Sequence, residues 1–463
     1  MIYKLVDRDF FWDFDHVDLD KVAVITESFE SKTYKVLNDD INCAMKQLPL
    51  IRSLVFIIAS NSYKSLVFYL ACLRCQHPFI LIDEKVDDSL LSSLQNTYQP
   101  NFLIKEGRIE ECSKLVHDFH DDLAMLMSTS GSTGSPKLVR LSKINLSSNT
   151  NSIAKYLKIT EADNAITTLP MSYSYGLSVI NSHLSRGATV ILNNYGVLTK
   201  EFWEVVDKYQ VSTLSGVPFV FQTLKKLKYN RFDTSSIRYL TQAGGKLDTE
   251  TLKYFSDECD KLNQSFIVMY GQTEASPRIS YLPAEMLKNK IGSIGIPIPY
   301  GHLAIQDSVG TTISEPFTEG EIVYEGPNVM MGYADKPTDF SLGDISKGIL
   351  HTGDLGYFDE DGYFFITGRA KRFIKMYGLR ISLDSIDSWL ADQEISAVAM
   401  GKDDLLILCI ENEILTAVDF VKEMVSKKYK INANSILVHS LESIPRINGG
   451  KVDFKTLSSL IGL

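Results

Sequence analysis

The stretch STSGSTGSPK, residues 128–137, is the densest run of groups that could do chemistry in this chain. Its glycines and hydroxyls let backbone N–H groups curl around a phosphate, and Lys137 adds a fixed positive charge. It is not a GxxxxGK[ST] loop, because the Gly-Lys-Ser/Thr ending is missing. Other chemically loaded stretches follow: PMSYSYG (170–176), SGVP (215–218), AGGK (243–246) and YGQTEAS (270–276). Asp354 in a TGD run, Arg369 after a glycine, and Lys451 in a GGKVD tail add charges. Each has an ordinary reading as well. Asp354 could cap a turn, Arg369 could pair on the surface, Tyr270 could be core, and Lys451 could be solvated. Their joint order carries more weight than any one of them.

These residues need elements to position them. Leu54–Ala59 reads as a buried strand, Ser65–Arg74 as a helix and Pro78–Asp83 as a strand, the alternation of a mostly parallel βαβ sheet. Ala124–Ser128, Ala165–Leu169, Val211–Leu214, Ile237–Gln242 and Phe266–Met269 read as strands, each running into one of the five loops. Ligands of open α/β sheets bind at that carboxyl edge. Ser142 is suited to cap a helix that presents Leu146, Thr150, Ile153 and Leu157 on one face. Pro218 suits the first turn of another. From about 291 to 370 the strands shorten and turns crowd, with Asp361-Gly362 a hairpin signal. After Lys371 the pattern becomes α+β. The expected fold class is α/β. A large N-terminal domain, 1–370, has mixed, mostly parallel βα layers and a β-rich subdomain at about 291–370; a small mobile α+β domain spans 371–463.

The 463 residues, 44% apolar and 22% charged, suit a globular chain of two or three domains. A net charge of −10 argues against a nucleic-acid partner. The six cysteines are scattered apart from a CxxC at Cys72 and Cys75, which reads as two small residues on an apolar helix. No secretory leader or membrane-spanning run is evident, so the cytoplasm is the expected location.

The loaded stretches resemble, in order, the motifs of the adenylate-forming superfamily: AMP-forming acyl-CoA synthetases, adenylation domains and firefly luciferase. Residues 128–137 resemble its signature loop. AGGK resembles its adenine loop, and YGQTE its next signature. Gly320 to Tyr333 resembles its β-rich segment, Thr352–Asp354 with Gly368-Arg369 its ribose motifs, and Gly449–Asp453 its catalytic-lysine motif.

The resemblance implies that ATP activates a small-molecule carboxylic acid, a fatty, hydroxy or aryl acid, as its acyl-AMP, releasing pyrophosphate, and that the acyl group then passes to a thiol. It implies Mg²⁺, and an acceptor that is coenzyme A or a carrier protein's phosphopantetheine. Thr129, Ser130, Gly131, Ser132, Thr133, Gly134 and Lys137 would handle the β- and γ-phosphates. Glu274 would hold Mg²⁺, and Thr273 would contact the α-phosphate. Gly244, Gly245, Lys246, Tyr270 and Gly271 would surround the adenine, with Tyr270 stacked on it. Asp354 would accept both ribose hydroxyls and Arg369 would donate to the ribose. Lys451 would bridge the acid and the transferring phosphate, and Lys371 would be the hinge of a swinging small domain. Gly378 would enter the site in the second pose.

Several positions depart from the pattern. Leu138 follows Lys137 where relatives often have Gly, Lys143 stands where many have His, and Leu383 replaces a Pro. The turn at 401–404 trims a hairpin that faces the acceptor. Tyr173, Ser174, Tyr175 and Gly176 would line the acid pocket. Amino-acid-activating relatives keep an Asp there to pair the ammonium; none is present, which disfavours an α-amino acid. A non-catalytic nucleotide-binding homologue remains the contrasting reading, disfavoured because the key charged residues are all kept.

Overall fold

The computed structural model describes residues 10–128, 137–370, 372–376, 379–411, 416–446 and 452–462. Two large sheets organise it. In the seven-stranded sheet, Phe102–Lys105, Val55–Ala59, Phe79–Asp83 and Leu123–Ser128 run parallel. Val55–Ala59 is buried throughout, as expected of a parallel strand covered on both faces. The fourteen-stranded sheet begins as a parallel run and ends as an antiparallel one. Its parallel neighbours are Val22–Ile25, Thr189–Ile191, Asn164–Ile166, Thr213–Gly216, Tyr239–Gln242 and Ser265–Gly271. Arg278–Tyr281 then turns back on Ser265–Gly271.

The main core lies between the sheets. Val55, Ile57 and Phe79 of one sheet share an apolar cluster with Val24 and Val190 of the other, and with residues of the helices Tyr34–Met45, Tyr63–Arg74 and Ser174–Leu184. Tyr63–Arg74 is buried from Ser65 to Leu73, which accounts for its near-continuous apolar run. Cys72 sits on it and Cys75 just past its end, both as free thiols.

Several expectations are refined. The helix Lys143–Tyr156 does not directly follow the phosphate-type loop. A strand, Leu138–Ser142, comes first and pairs antiparallel with Leu123–Ser128. Ser142 caps the helix, its hydroxyl accepting from the Asn145 amide while the Asn145 side chain accepts from the Ser142 amide. Such a cap contributes about 1 kcal/mol. The five loops do not share one sheet edge. Four leave adjacent strands of the larger sheet, whereas the first leaves the seven-stranded sheet. Local periodicity finds strands but carries no information about which sheet they join. The β-rich segment is likewise not a sheet apart. Ser293–Pro297 and Phe364–Arg369 continue the larger sheet, and Gly332–Ala334 adds to the other by pairing with Leu138–Ser142.

Beyond Arg372, a hairpin of Phe373–Met376 and Leu379–Ser382 precedes a three-stranded sheet of Ala397–Lys402, Leu405–Glu411 and Ile436–Leu441. The hairpin is absent from the sequence reading. Helices Leu383–Asp392 and Thr416–Tyr429 contribute to one apolar cluster there, and Phe454–Ile461 to another. Among the described residues, no helix is long and apolar enough to cross a membrane.

Candidate functional site

Asp354 and Arg369 face each other across the antiparallel pair Ile349–Phe358 and Phe364–Arg369. Arg369 Nε lies 3.2 Å from Asp354 Oδ1; the carboxylate side chain is 6% exposed and the arginine 65%. The other oxygen, Oδ2, accepts from the Tyr270 hydroxyl and, at 2.9 Å, from Gln272 Nε2. Gln272 also donates to the Thr352 carbonyl at 2.9 Å. Burial and the adjacent carboxylate hold the Tyr270 phenol well above its ordinary range, so it remains a donor. Strand pairing thus sets Asp354, and YGQTE supplies two side chains to orient it. Gln272 had no role in the sequence reading, although it lies inside a quoted motif. Tyr270 spends its hydroxyl on Asp354.

That same loop turns sharply. A Cβ on Gly271 would sit 2.1 Å from the Pro277 carbonyl oxygen, so only glycine permits the approach. Asn149 and Asn328 each donate to the carbonyls of Ala275 and Arg278, pinning the loop from two sides. Thr273 opens a short 3-10 turn, Thr273–Ala275, that carries Glu274. Glu274 Oε1 accepts from the Tyr333 hydroxyl at 2.8 Å. Lys137 Nζ stands 3.5 Å from Asp335, both about half exposed at 55% and 56%. Tyr333 and Asp335 belong to or adjoin the strand Gly332–Ala334, which pairs with the strand just after Lys137.

Arg140 fixes that arrangement. It is fully buried and donates to the carbonyls of Tyr333, Met331, Leu342 and Gly343. Its position in a five-residue strand gives no local hint of this role.

The remaining site residues separate into groups. Gly244 adopts φ +87°, and a Cβ there would lie 2.8 Å from the Tyr173 hydroxyl oxygen. Gly245 packs near Pro218. Lys246 reaches away to Ser388 Oγ, at 3.2 Å, on the helix Leu383–Asp392. Ser174 opens the helix Ser174–Leu184, and Gly176 lies against the Pro170 carbonyl. Tyr175 is buried, its hydroxyl donating to the Thr241 carbonyl at 2.8 Å. Its ring lines a narrow cavity with Ser178, His183, Thr241, Met269 and Arg278. Thr129, Ser130, Gly131, Ser132, Thr133, Gly134, Lys371, Gly378 and Lys451 lie outside the described residues.

The arrangement has two poles joined by one loop: a buried carboxylate with a cation beside it, and a half-exposed lysine near a half-buried glutamate. Such a surface can hold a polyol on one side and an anion with its counter-ion on the other.

Residues 111–334 match the family model for AMP-binding enzymes. The chain is 32% identical over 307 residues to an oxalate–CoA ligase of Arabidopsis thaliana, covering 64% of this chain and 58% of that protein. It is 28% identical over 385 residues to a 2-succinylbenzoate–CoA ligase of Bacillus subtilis, covering 81% and 76%. The match to a long-chain-fatty-acid–CoA ligase of Bacillus subtilis spans 49% of that protein, so alignments to several curated relatives cover only about half their length. The fold extends further: an o-succinylbenzoate CoA synthetase of Bacillus subtilis, solved with its acyl-adenylate intermediate, superposes with a TM-score of 0.81. That superposition has 24% identity and covers 98% of both chains. Residues 111–334 thus match the AMP-binding family model, and the whole chain shares the fold of a solved acyl-CoA synthetase.

Proposed function

We propose that this chain is an AMP-forming acid–thiol ligase. It joins a carboxylic acid to ATP as the acyl-adenylate with loss of pyrophosphate, then transfers the acyl group to coenzyme A. The observation that carries this reading is the buried Asp354 carboxylate. Tyr270 and Gln272 orient it from the loop that also bears Glu274. A carboxylate held this way accepts two vicinal hydroxyls, the ribose pair of a nucleotide. Arg369 donates beside it, and Thr273 stands for the α-phosphate. Lys137 exchanges Asp335 for the outer phosphates. The names of the curated relatives favour coenzyme A over a carrier protein as acceptor.

Joining two anions needs charge neutralisation and positioning rather than covalent chemistry from the protein. Glu274 is half-buried and oriented by Tyr333. It is a hard oxygen donor, of the kind Mg²⁺ takes alongside phosphate oxygens. No group of three or more acidic, His or Cys side chains able to hold a metal occurs among the described residues. That set fits an ion carried mainly by the substrate's phosphates, where it supplies charge neutralisation.

The domain boundary is proposed at Lys371. Arg369 is paired to Asp354, while Arg372 is tied into the C-terminal unit through Asp384, Asp387 and the Ala399 carbonyl. Residues 370 and 371 alone separate these anchors, which suits a hinge. Lys451 then acts from the 371–463 domain on the reacting carboxylate. The cytoplasm is the proposed location, where ATP and coenzyme A are both at hand.

The test is exchange of labelled pyrophosphate into ATP across a panel of acids, followed by thioester formation with coenzyme A or a carrier protein. Acid-dependent exchange is expected, with coenzyme A as acceptor. If no acid drives exchange, the proposal fails. Thioester formed on a carrier protein but not on coenzyme A would redirect the second step.

A further inference from the structure

Asn61 lies just past the buried strand Val55–Ala59, whose last residue pairs with Asp83 at the end of the neighbouring strand. Ser62 then caps the helix Tyr63–Arg74, its hydroxyl accepting from the Ser65 amide at 3.3 Å. Asn61 is thus held between a strand end and a helix start, both rooted in the core. Its side-chain amide reaches across to a loop of the larger sheet. Nδ2 donates to the Leu169 carbonyl at 3.1 Å, and Oδ1 accepts from the Met171 amide at 2.9 Å. One planar group therefore grips the backbone on both sides of Pro170.

The adjacent strand end adds a second tie. Ser172 Oγ donates to Asp83 Oδ2 at 3.2 Å, while Asp83 Oδ1 accepts from the Lys85 amide at 2.9 Å. On its other side the same loop is packed tightly. Thr168 donates its hydroxyl to the Ser215 carbonyl, and the Tyr173 amide donates to the Pro170 carbonyl at 3.0 Å. A Cβ on Gly176 would lie 2.2 Å from that carbonyl oxygen, so the helix Ser174–Leu184 starts hard against it. Tyr173 is carried from here to the Gly244 loop.

This tie matters because the site draws on both sheets. Leu123–Ser128, which leads toward Lys137, pairs with Phe79–Asp83, the strand that Asp83 ends. Glu274 and Asp354 come from the larger sheet and its loops. The core between the sheets is apolar, and apolar contact sets proximity without direction. Two hydrogen bonds through one planar amide set distance and orientation as well.

We propose that Asn61 is a positioning residue for the acid: it fixes the 169–173 loop, and through it Tyr173, relative to the strand ends of the seven-stranded sheet. The proposal rests on the adenylation reading, in which that loop receives the acid. Both hydrogen bonds of the Asn61 amide go to this loop, so Asn61 governs the acid's placement and not that of ATP. A loop released by about 1 Å can cost a reaction roughly 100-fold.

The test is pyrophosphate exchange by the full chain with acetate, hexanoate, lactate and benzoate as probe acids. KM is measured for ATP and for whichever of these drives exchange best. Asn61→Ala should raise the acid's KM by about 10- to 100-fold and leave the KM for ATP within about twofold. Asn61→Asp keeps the acceptor for the Met171 amide and should recover part of that loss. Ser172→Ala removes only the neighbouring tie and should raise the acid's KM at least about threefold. It carries the test if Asn61→Ala does not fold. A residue needed only for stability would lower the melting temperature and the active fraction while both KM values stayed put. An acid KM within about twofold of wild type in Asn61→Ala, or in Ser172→Ala where that variant alone folds, overturns the inference and leaves adenylation standing. No exchange by the wild type with any probe acid overturns both.

Discussion

The two poles of the site are built on opposite principles. Asp354 is buried, and three side chains, two from the YGQTE run and Arg369 from the neighbouring strand, are aimed at it before any ligand arrives. Lys137 is half exposed and rests on Asp335, an equally exposed partner. A buried, oriented carboxylate has already met the cost of being ordered, so it can select a ligand's hydroxyl geometry. An exposed ion pair contributes about 0–1 kcal/mol and yields readily to a stronger anion. The first pole is suited to recognition. The second is suited to exchange of partners.

Asp354→Ala should show the largest effect. It removes the acceptor and strands the donors of Tyr270 and Gln272, costing about 2–4 kcal/mol of stability. Pyrophosphate exchange should fall roughly 100- to 1000-fold; denaturant melts and exchange rates check the two parts. Lys137→Ala should come next, raising the KM for ATP about tenfold while the melting curve stays put. A marked loss of stability there would contradict the idea of an exchangeable pole. Tyr270→Phe should be milder, with stability lower by about 1 kcal/mol and the KM for ATP up a few-fold. The smallest effect belongs to Asp335→Asn. Stability should shift by less than about 0.5 kcal/mol, and the KM for ATP should stay level or fall slightly as Lys137 is released. A large rise in KM after Asp335→Asn would mean that the ion pair organises the pole instead of yielding.

Much of this was legible from the chain. The strand at Val55–Ala59, the helix Tyr63–Arg74 and the cap at Ser142 follow from apolar period and capping chemistry, which act over a few residues. Asp354 and Glu274 stood out because their motifs resemble, in order, those of the adenylate-forming superfamily. Arg140, Gln272 and Arg278 did not. Arg140 acts on carbonyls about 190 to 200 positions away, and nothing near it in sequence signals that. Arg278 reads like any arginine at a strand start until its burial and open Nε are seen.

The sequence by itself determined the family resemblance, the order of elements and the charged residues available for chemistry, because these depend on residue type and short-range spacing. Only the tertiary structure decided that Asp354 is held by Tyr270, Gln272 and Arg369, that four loops share one sheet while the fifth leaves another, and that the Arg278 side chain is buried with its Nε–H unbonded. Those facts depend on which distant segments pack together, and on how fully that packing removes a charge from water.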